Sequence, residues 1–158
     1  MKIRRITMLL MAMMILISGI MNWTVDVKAD TGSEDVDISE IMTQDAVIGY
    51  ATSQTWGAYF ENGYSIINKI SSTKIGAGGV TNAAVKCTVK VSAIVERKNA
   101  SGTWVRVTSW SVTNQNAYSA MASKSIIVPS GYYYRVRCNH YASSDSASSN
   151  TGALWVGN

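Results

Sequence analysis

Few residues of this 158-residue chain could carry out covalent chemistry. There is one histidine, His140, and there are two cysteines, Cys87 and Cys138. A zinc cluster of histidine and cysteine needs about four ligands, which this set does not supply. His140 could activate a serine, but such a triad also needs an orienting carboxylate and an oxyanion hole. Beyond residue 45 only Glu61, Glu96 and Asp145 carry carboxylates, and none stands in a recognisable motif. Glycoside hydrolysis needs two facing carboxylates, and nothing in the spacing of these three brings a pair together. The phosphate-binding, metalloprotease and nucleophile-elbow signatures are missing from the sequence. The expectation is therefore no enzyme, with no catalytic residue, no cofactor and no metal. His140 reads as a surface residue.

What remains is recognition chemistry. In the run Tyr132 to Tyr141, residues Tyr133, Arg135, Arg137, Asn139 and Tyr141 fall on one face of a strand, and Tyr132, Tyr134, Val136 and Cys138 on the other. If the second face is core, the first looks outward. Alternating tyrosine and arginine can stack on sugar rings or pair with phosphate. Tyr133, Arg135, Arg137 and Tyr141 are the candidate ligand-binding residues. The competing reading is ordinary cross-strand support. Trp104 and Trp110, six apart, are expected on one strand face, where one or both could be core.

The elements that must position these residues are strands. From Gly49 onward Val, Ile, Thr, Tyr and Trp are interleaved with Ser, Asn and Gly. Val85, Cys87, Val89, Val91, Ala93 and Val95 alternate with mostly polar residues, which predicts a strand over 85–96 with one buried face. Residues 98–102 form a turn into a partner strand over 104–112. Further strands are expected over 50–60, 64–70, 125–128, 132–141 and 153–156. Residues 61–63 read as a hairpin turn, 75–79 as a flexible crossover or bulge, and 142–150 as a loop. Seven or eight short strands without an amphipathic helix of any length predict an all-β fold, an antiparallel β-sandwich in the immunoglobulin style, with a closed barrel as the alternative. Ile38, Ile41 and Met42 have helical spacing, with Asp37 or Ser39 as the cap of a short turn.

Cys87 and Cys138 both fall on apolar faces, far apart in sequence. In an exported chain this suggests a disulfide pinning two sheets, which would contribute about 4 kcal/mol on a chain-entropy estimate. The alternative is two buried free thiols. A tyrosine corner is missing, because Val136 stands two residues before the second cysteine.

Residues 1–29 read as a secretory signal peptide. Lys2, Arg4 and Arg5 precede an apolar run from Ile6 to Ile20, and Val27-Lys28-Ala29 resembles a signal-peptidase site. The alternative is an uncleaved anchor. Residues 30–45 form an acidic leader, expected to be disordered, and 46–158 a single domain. The leader holds six acids and no base, whereas the domain holds ten bases against three acids. A basic body outside a cell could attract anionic wall polymers or anionic lipid.

Three segments carry a resemblance: Gln54-Thr55-Trp56-Gly57-Ala58-Tyr59; Val95-Glu96-Arg97 with Gly102-Thr103-Trp104; and above all Ser130-Gly131-Tyr132-Tyr133-Tyr134-Arg135-Val136-Arg137-Cys138. From about Ile38 onward the chain resembles an uncharacterised domain-of-unknown-function family of small secreted proteins from Gram-positive bacteria. The resemblance implies a secreted, extracellular, bacterial protein and no particular chemistry. The functional expectation is a non-catalytic binding or cell-surface module. Its partner would be an anionic cell-wall polymer, a glycan or a surface protein, with no nucleic acid and no membrane span after signal cleavage. The alternative is an exported bacteriocin or toxin-like effector acting on neighbouring cells.

Overall fold

A computed structural model describes residues 32–53 and 57–158. The signal peptide expected over 1–29, the start of the leader, and residues 54–56 of the resembling segments lie outside the described residues. The chain is all-β and antiparallel. Its strands are β1 (Glu34–Asp35), β2 (Val47–Tyr50), β3 (Thr52–Ser53), β4 (Phe60–Ser71), β5 (Lys74–Lys98), β6 (Trp104–Ile127), β7 (Tyr132–Ala142), β8 (Asp145–Asn150) and β9 (Leu154–Val156). The one helical turn among the described residues, α1, spans Ile38–Ile41.

Two strands are much longer than expected, and they make the sandwich. β5 and β6 pair along nearly their whole length, but the register breaks between Asn82, Cys87 and Val89. These bulges bend the hairpin and divide it between two layers. In one layer, residues 74–82 of β5 lie between β4 and the second half of β6. In the other, residues 89–97 lie between β7 and the first half of β6, and β8 and β9 extend the layer beside β7. One core joins Ile67, Ile75 and Ala77 of the first layer to Val91, Val95, Tyr134 and Val136 of the second.

The alternation over 85–96 holds where it matters. Val89, Val91, Ala93 and Val95 are fully buried, while Val85, at the bend, is exposed. Residues 75–79 are not a flexible crossover. They form a buried strand whose small residues let the opposite layer approach, and a side chain at Gly79 would run into the Cys138 sulfur. Residues 61–63 are not a turn, because β4 continues through them with a bulge at Glu61. Residues 142–150 are not simply a loop. β8 turns Asp145, Ala147 and Ser149 inward, and small polar inward residues gave no hydrophobic signal there.

The leader is ordered from Glu34 onward, which corrects the expectation of disorder. Asp37 caps α1 by accepting from the Ser39 backbone N–H at 2.8 Å and from its hydroxyl at 2.6 Å. Ile38 and Ile41 are buried against Ile66 and Val80 on the outer face of the first layer. β1 pairs with Lys124 and Ser125 of β6. Burying two isoleucines outweighs the solvation of the leader's scattered acids.

Candidate functional site

The outward face of the second layer carries the predicted recognition residues. Strand β7 alternates as expected from Tyr133 onward: Tyr134, Val136, Cys138 and His140 are buried, and Tyr133, Arg135, Arg137, Asn139 and Tyr141 face out, whereas Tyr132, expected on the core face, is exposed at the strand's start. Beside it, β5 sets Glu96 opposite Arg135, Ile94 opposite Arg137 and Lys90 opposite Tyr141.

Glu96 organises this face. Arg135 Nε donates to its carboxylate at 2.7 Å, and Arg137 approaches the other carboxylate oxygen at 3.5 Å. The carboxylate is almost entirely shielded, whereas the two guanidinium groups remain partly in solvent. Arg135 also lies over the Trp104 ring, 4.4 Å from its centre. The two arginines are therefore held flat on the sheet, and one of their two charges is neutralised.

Trp104 and Trp110 do not share a face. Val95 pairs with Thr108 and Glu96 with Arg106, so Val107 is an extra residue in β6 that inverts the alternation. Trp104, opposite Lys98, looks outward. Trp110, opposite Ala93, packs against the core.

At the end of the strip Tyr133 meets an aromatic partner that sequence reasoning did not single out, Trp155. β9 places Trp155 opposite Tyr133, and their rings meet edge to face at 5.1 Å. Both are close to half exposed. With Lys98, Asn99 and Tyr132 they line a cleft of about 250 Å³. The turns that shape it are fixed: Gly102 and Gly131 adopt φ +83°, and the Gly131 N–H donates to the Val156 carbonyl at 2.7 Å. Tyr141, farther along the strip, lies beneath the Lys90 ammonium at 5.7 Å.

The cysteines are not bridged, which corrects the expected disulfide between Cys87 and Cys138. Cys138 sits beside Ala93 in the second layer, and Cys87 lies six residues back along the same β5 strand. Cys87 stands at the bend between the layers, so the two positions do not face each other across the sandwich. Burial pushes the Cys138 thiol up to about 12, so it stays protonated.

His140 is not a surface residue. It is fully buried between the layers. Its Nδ1 lies 2.8 Å from the Thr81 hydroxyl, and its Nε2 lies 2.8 Å from the Ser149 hydroxyl. Thr81 Oγ1 donates to the Lys90 carbonyl at 3.1 Å, which spends its one proton. The imidazole therefore donates from Nδ1 to Thr81 and accepts the Ser149 proton at Nε2, a neutral tautomer with every partner satisfied. Burial pushes His140 down to about 4. The Ser149–His140 pair has the reach of a nucleophile and base, but a threonine stands where an orienting carboxylate would be. Both residues are sealed from solvent. A side chain at Gly63 would strike the imidazole, which explains the glycine inside β4.

Asp145 is a clamp. Its carboxylate accepts from the N–H groups of Tyr59 and Phe60 at 2.8 and 3.0 Å, and bonds to Phe60 and Tyr59 hold it below the usual carboxylate range. Glu61 joins neither group, and among the described residues no set of three His, Cys, Asp or Glu is placed to hold a metal.

No family model matches the chain. No curated protein matches it either. Among solved structures it is similar to Bacteroides uniformis beta-glucuronidase 2 covalently bound to cyclophellitol-6-carboxylate aziridine, at 13% identity and a TM-score of 0.32. The match covers 71% of this chain and 13% of that one. A likeness at that level carries no weight for function.

Proposed function

We propose that this chain is a secreted, non-catalytic binding module that holds an anionic cell-wall polymer or glycan against the outward face of its second layer. The resemblance to small secreted proteins of Gram-positive bacteria supports export. The observation that carries the reading is the continuous outward row of Trp104, Arg135, Arg137, Tyr133 and Trp155. It offers flat rings for sugar faces beside guanidinium groups for phosphate or carboxylate.

Outward side chains on one strand recur about every 6.6 to 7 Å, which suits successive units of an extended polymer. The aromatic side chains of this face are interleaved with Arg135, Arg137 and Lys98. That arrangement favours a charged polymer over insertion into a bilayer. Each exposed contact contributes about 0.5 to 1 kcal/mol, so binding is modest and falls with added salt. Co-sedimentation of the mature chain with purified Gram-positive walls tests the reading. Binding to intact walls, weakened when their anionic polymers are stripped, supports it. Equal binding to both, or to neither, overturns it.

A further inference from the structure

Strand β6 leaves its first half open on one side. Its inner edge pairs with β5, but β1 covers the outer edge only at Lys124 and Ser125. Among the described residues, no strand lies against the outer edge of Trp104–Ala117. Stable monomers guard such an edge with lysine, proline, a bulge or a cover. β6 has its bulge at Val107 and the next irregularity past Asn114. Between them runs Thr108-Ser109-Trp110-Ser111-Val112-Thr113-Asn114, with no charge, no proline and no glycine. Seven uncharged residues, four of them (Thr108, Trp110, Val112 and Thr113) of high β-propensity, favour strand pairing.

The inward side of this stretch is also incompletely covered. Trp110 and Val112 are half-buried, and with Val36 and Met121 they line a groove of about 250 Å³. The Trp110 indole N–H is buried and has no hydrogen-bond partner.

We propose that two copies of this chain pair antiparallel through the outer edges of β6 over Thr108–Asn114, on a two-fold axis at Ser111. The register follows from the sequence. Centring the regular stretch on Ser111 sets Trp110 against the partner's Val112 on the inner side, twice by symmetry. On the outer side it sets Ser109 against the partner's Thr113, a hydroxyl pair of the kind that supports sheets. The paired stretch carries no charge, so no like charges meet along it. Such an interface is isologous and closes at two copies. The axis runs perpendicular to the sheet, so both outward faces, each with its Trp104 and Arg135, end on the same side of one continuous sheet. Two weak sites held together bind a long polymer more tightly than either alone.

Sedimentation equilibrium of the mature chain over a wide concentration range tests the proposal. A reversible monomer–dimer equilibrium is expected, weakened at least tenfold in Ser111→Lys, which sets two ammonium groups face to face on the axis. A chain that stays monomeric at every concentration, forms species larger than a dimer, or dimerises equally well as Ser111→Lys overturns it. A second measurement does not depend on that variant. In a Cys87→Ser background, Ser111→Cys is expected to cross-link to itself on oxidation while Ser109→Cys is not. Equal cross-linking of the two, or none in either, also overturns the register.

Discussion

The carboxylate of Glu96 bonds Arg135 at 2.7 Å from the neighbouring strand, in a register pair that places the two residues directly opposite. This one relationship sets both the geometry and the charge of the outward strip. It holds Arg135 flat over Trp104 and draws Arg137 to the same acid. Glu96→Gln keeps a partner of similar shape and removes the negative charge. Loss of the charge-assisted bonds is expected to lower stability by about 1 to 2 kcal/mol, the arginines being partly in water. Affinity for a polyanion is expected to rise several-fold, because two cations are then uncompensated. Urea unfolding together with a titration against the polymer measures both. Unchanged stability with unchanged affinity would mean that Glu96 does not organise the strip.

His140 makes stability depend on acidity. Its ordinary value is 6.5 and burial lowers it to about 4. Between those two values the unfolded chain binds a proton that the folded chain excludes, so stability is full above about pH 6.5 and is lost as pH falls toward 4. The loss is on the order of 3 kcal/mol. Asp37 and Asp145, both held low by hydrogen bonds, begin to lose their contribution only as pH drops through the carboxylate range, below the histidine window. Urea midpoints taken between pH 7 and pH 4 should decline in the wild type. His140→Gln should be less stable at pH 7, with a flatter profile across that window. A wild-type profile already flat from 7 to 4 would show that the imidazole is not held neutral.

The helical turn of the leader is part of the fold. Ile41 is 1% exposed and packs with Ile38 against Ile66 and Val80. Ile41→Ala is expected to cost about 2 to 4 kcal/mol, the usual range for truncating a buried isoleucine. Asp37→Ala, which removes the cap, is expected to lower the midpoint by less than Ile41→Ala does. Thermal unfolding checks both, and an unchanged midpoint in Ile41→Ala would return the leader to the status of an undocked tail.

How much of this was legible depended on where hydrophobicity carried the signal. The alternation from Val89 to Val95 and from Tyr133 to Tyr141 was plain, because one side of each strand meets a core and the other meets solvent. The all-β class and the outward set Tyr133, Arg135, Arg137 and Tyr141 followed from it. What could not be read was long-range. Nothing local says that β5 and β6 continue through a bend at Cys87, since a bulge is defined by the partner strand. The same blindness put Trp104 and Trp110 on one face and suggested a bridge between Cys87 and Cys138. β8 was missed because Ser149 and Asp145 point inward to satisfy His140 and the Tyr59–Phe60 backbone, and polar inward residues look like loop. Glu96 and Trp155 were overlooked because their importance lies in register: one stands opposite Arg135, the other opposite Tyr133.

The most direct test of the binding strip is a calorimetric titration of a purified anionic wall polymer into the mature chain and into the combined variant Glu96→Gln, Arg135→Ser, Arg137→Ser. Removing the acid together with its two partners avoids leaving a shielded carboxylate unpaired, so the fold is expected to survive, with circular dichroism as the check. Wild-type binding that weakens with salt and disappears in the folded variant is the expected result. Binding that persists in the folded variant, or that ignores salt, would contradict the assignment of this strip as the site.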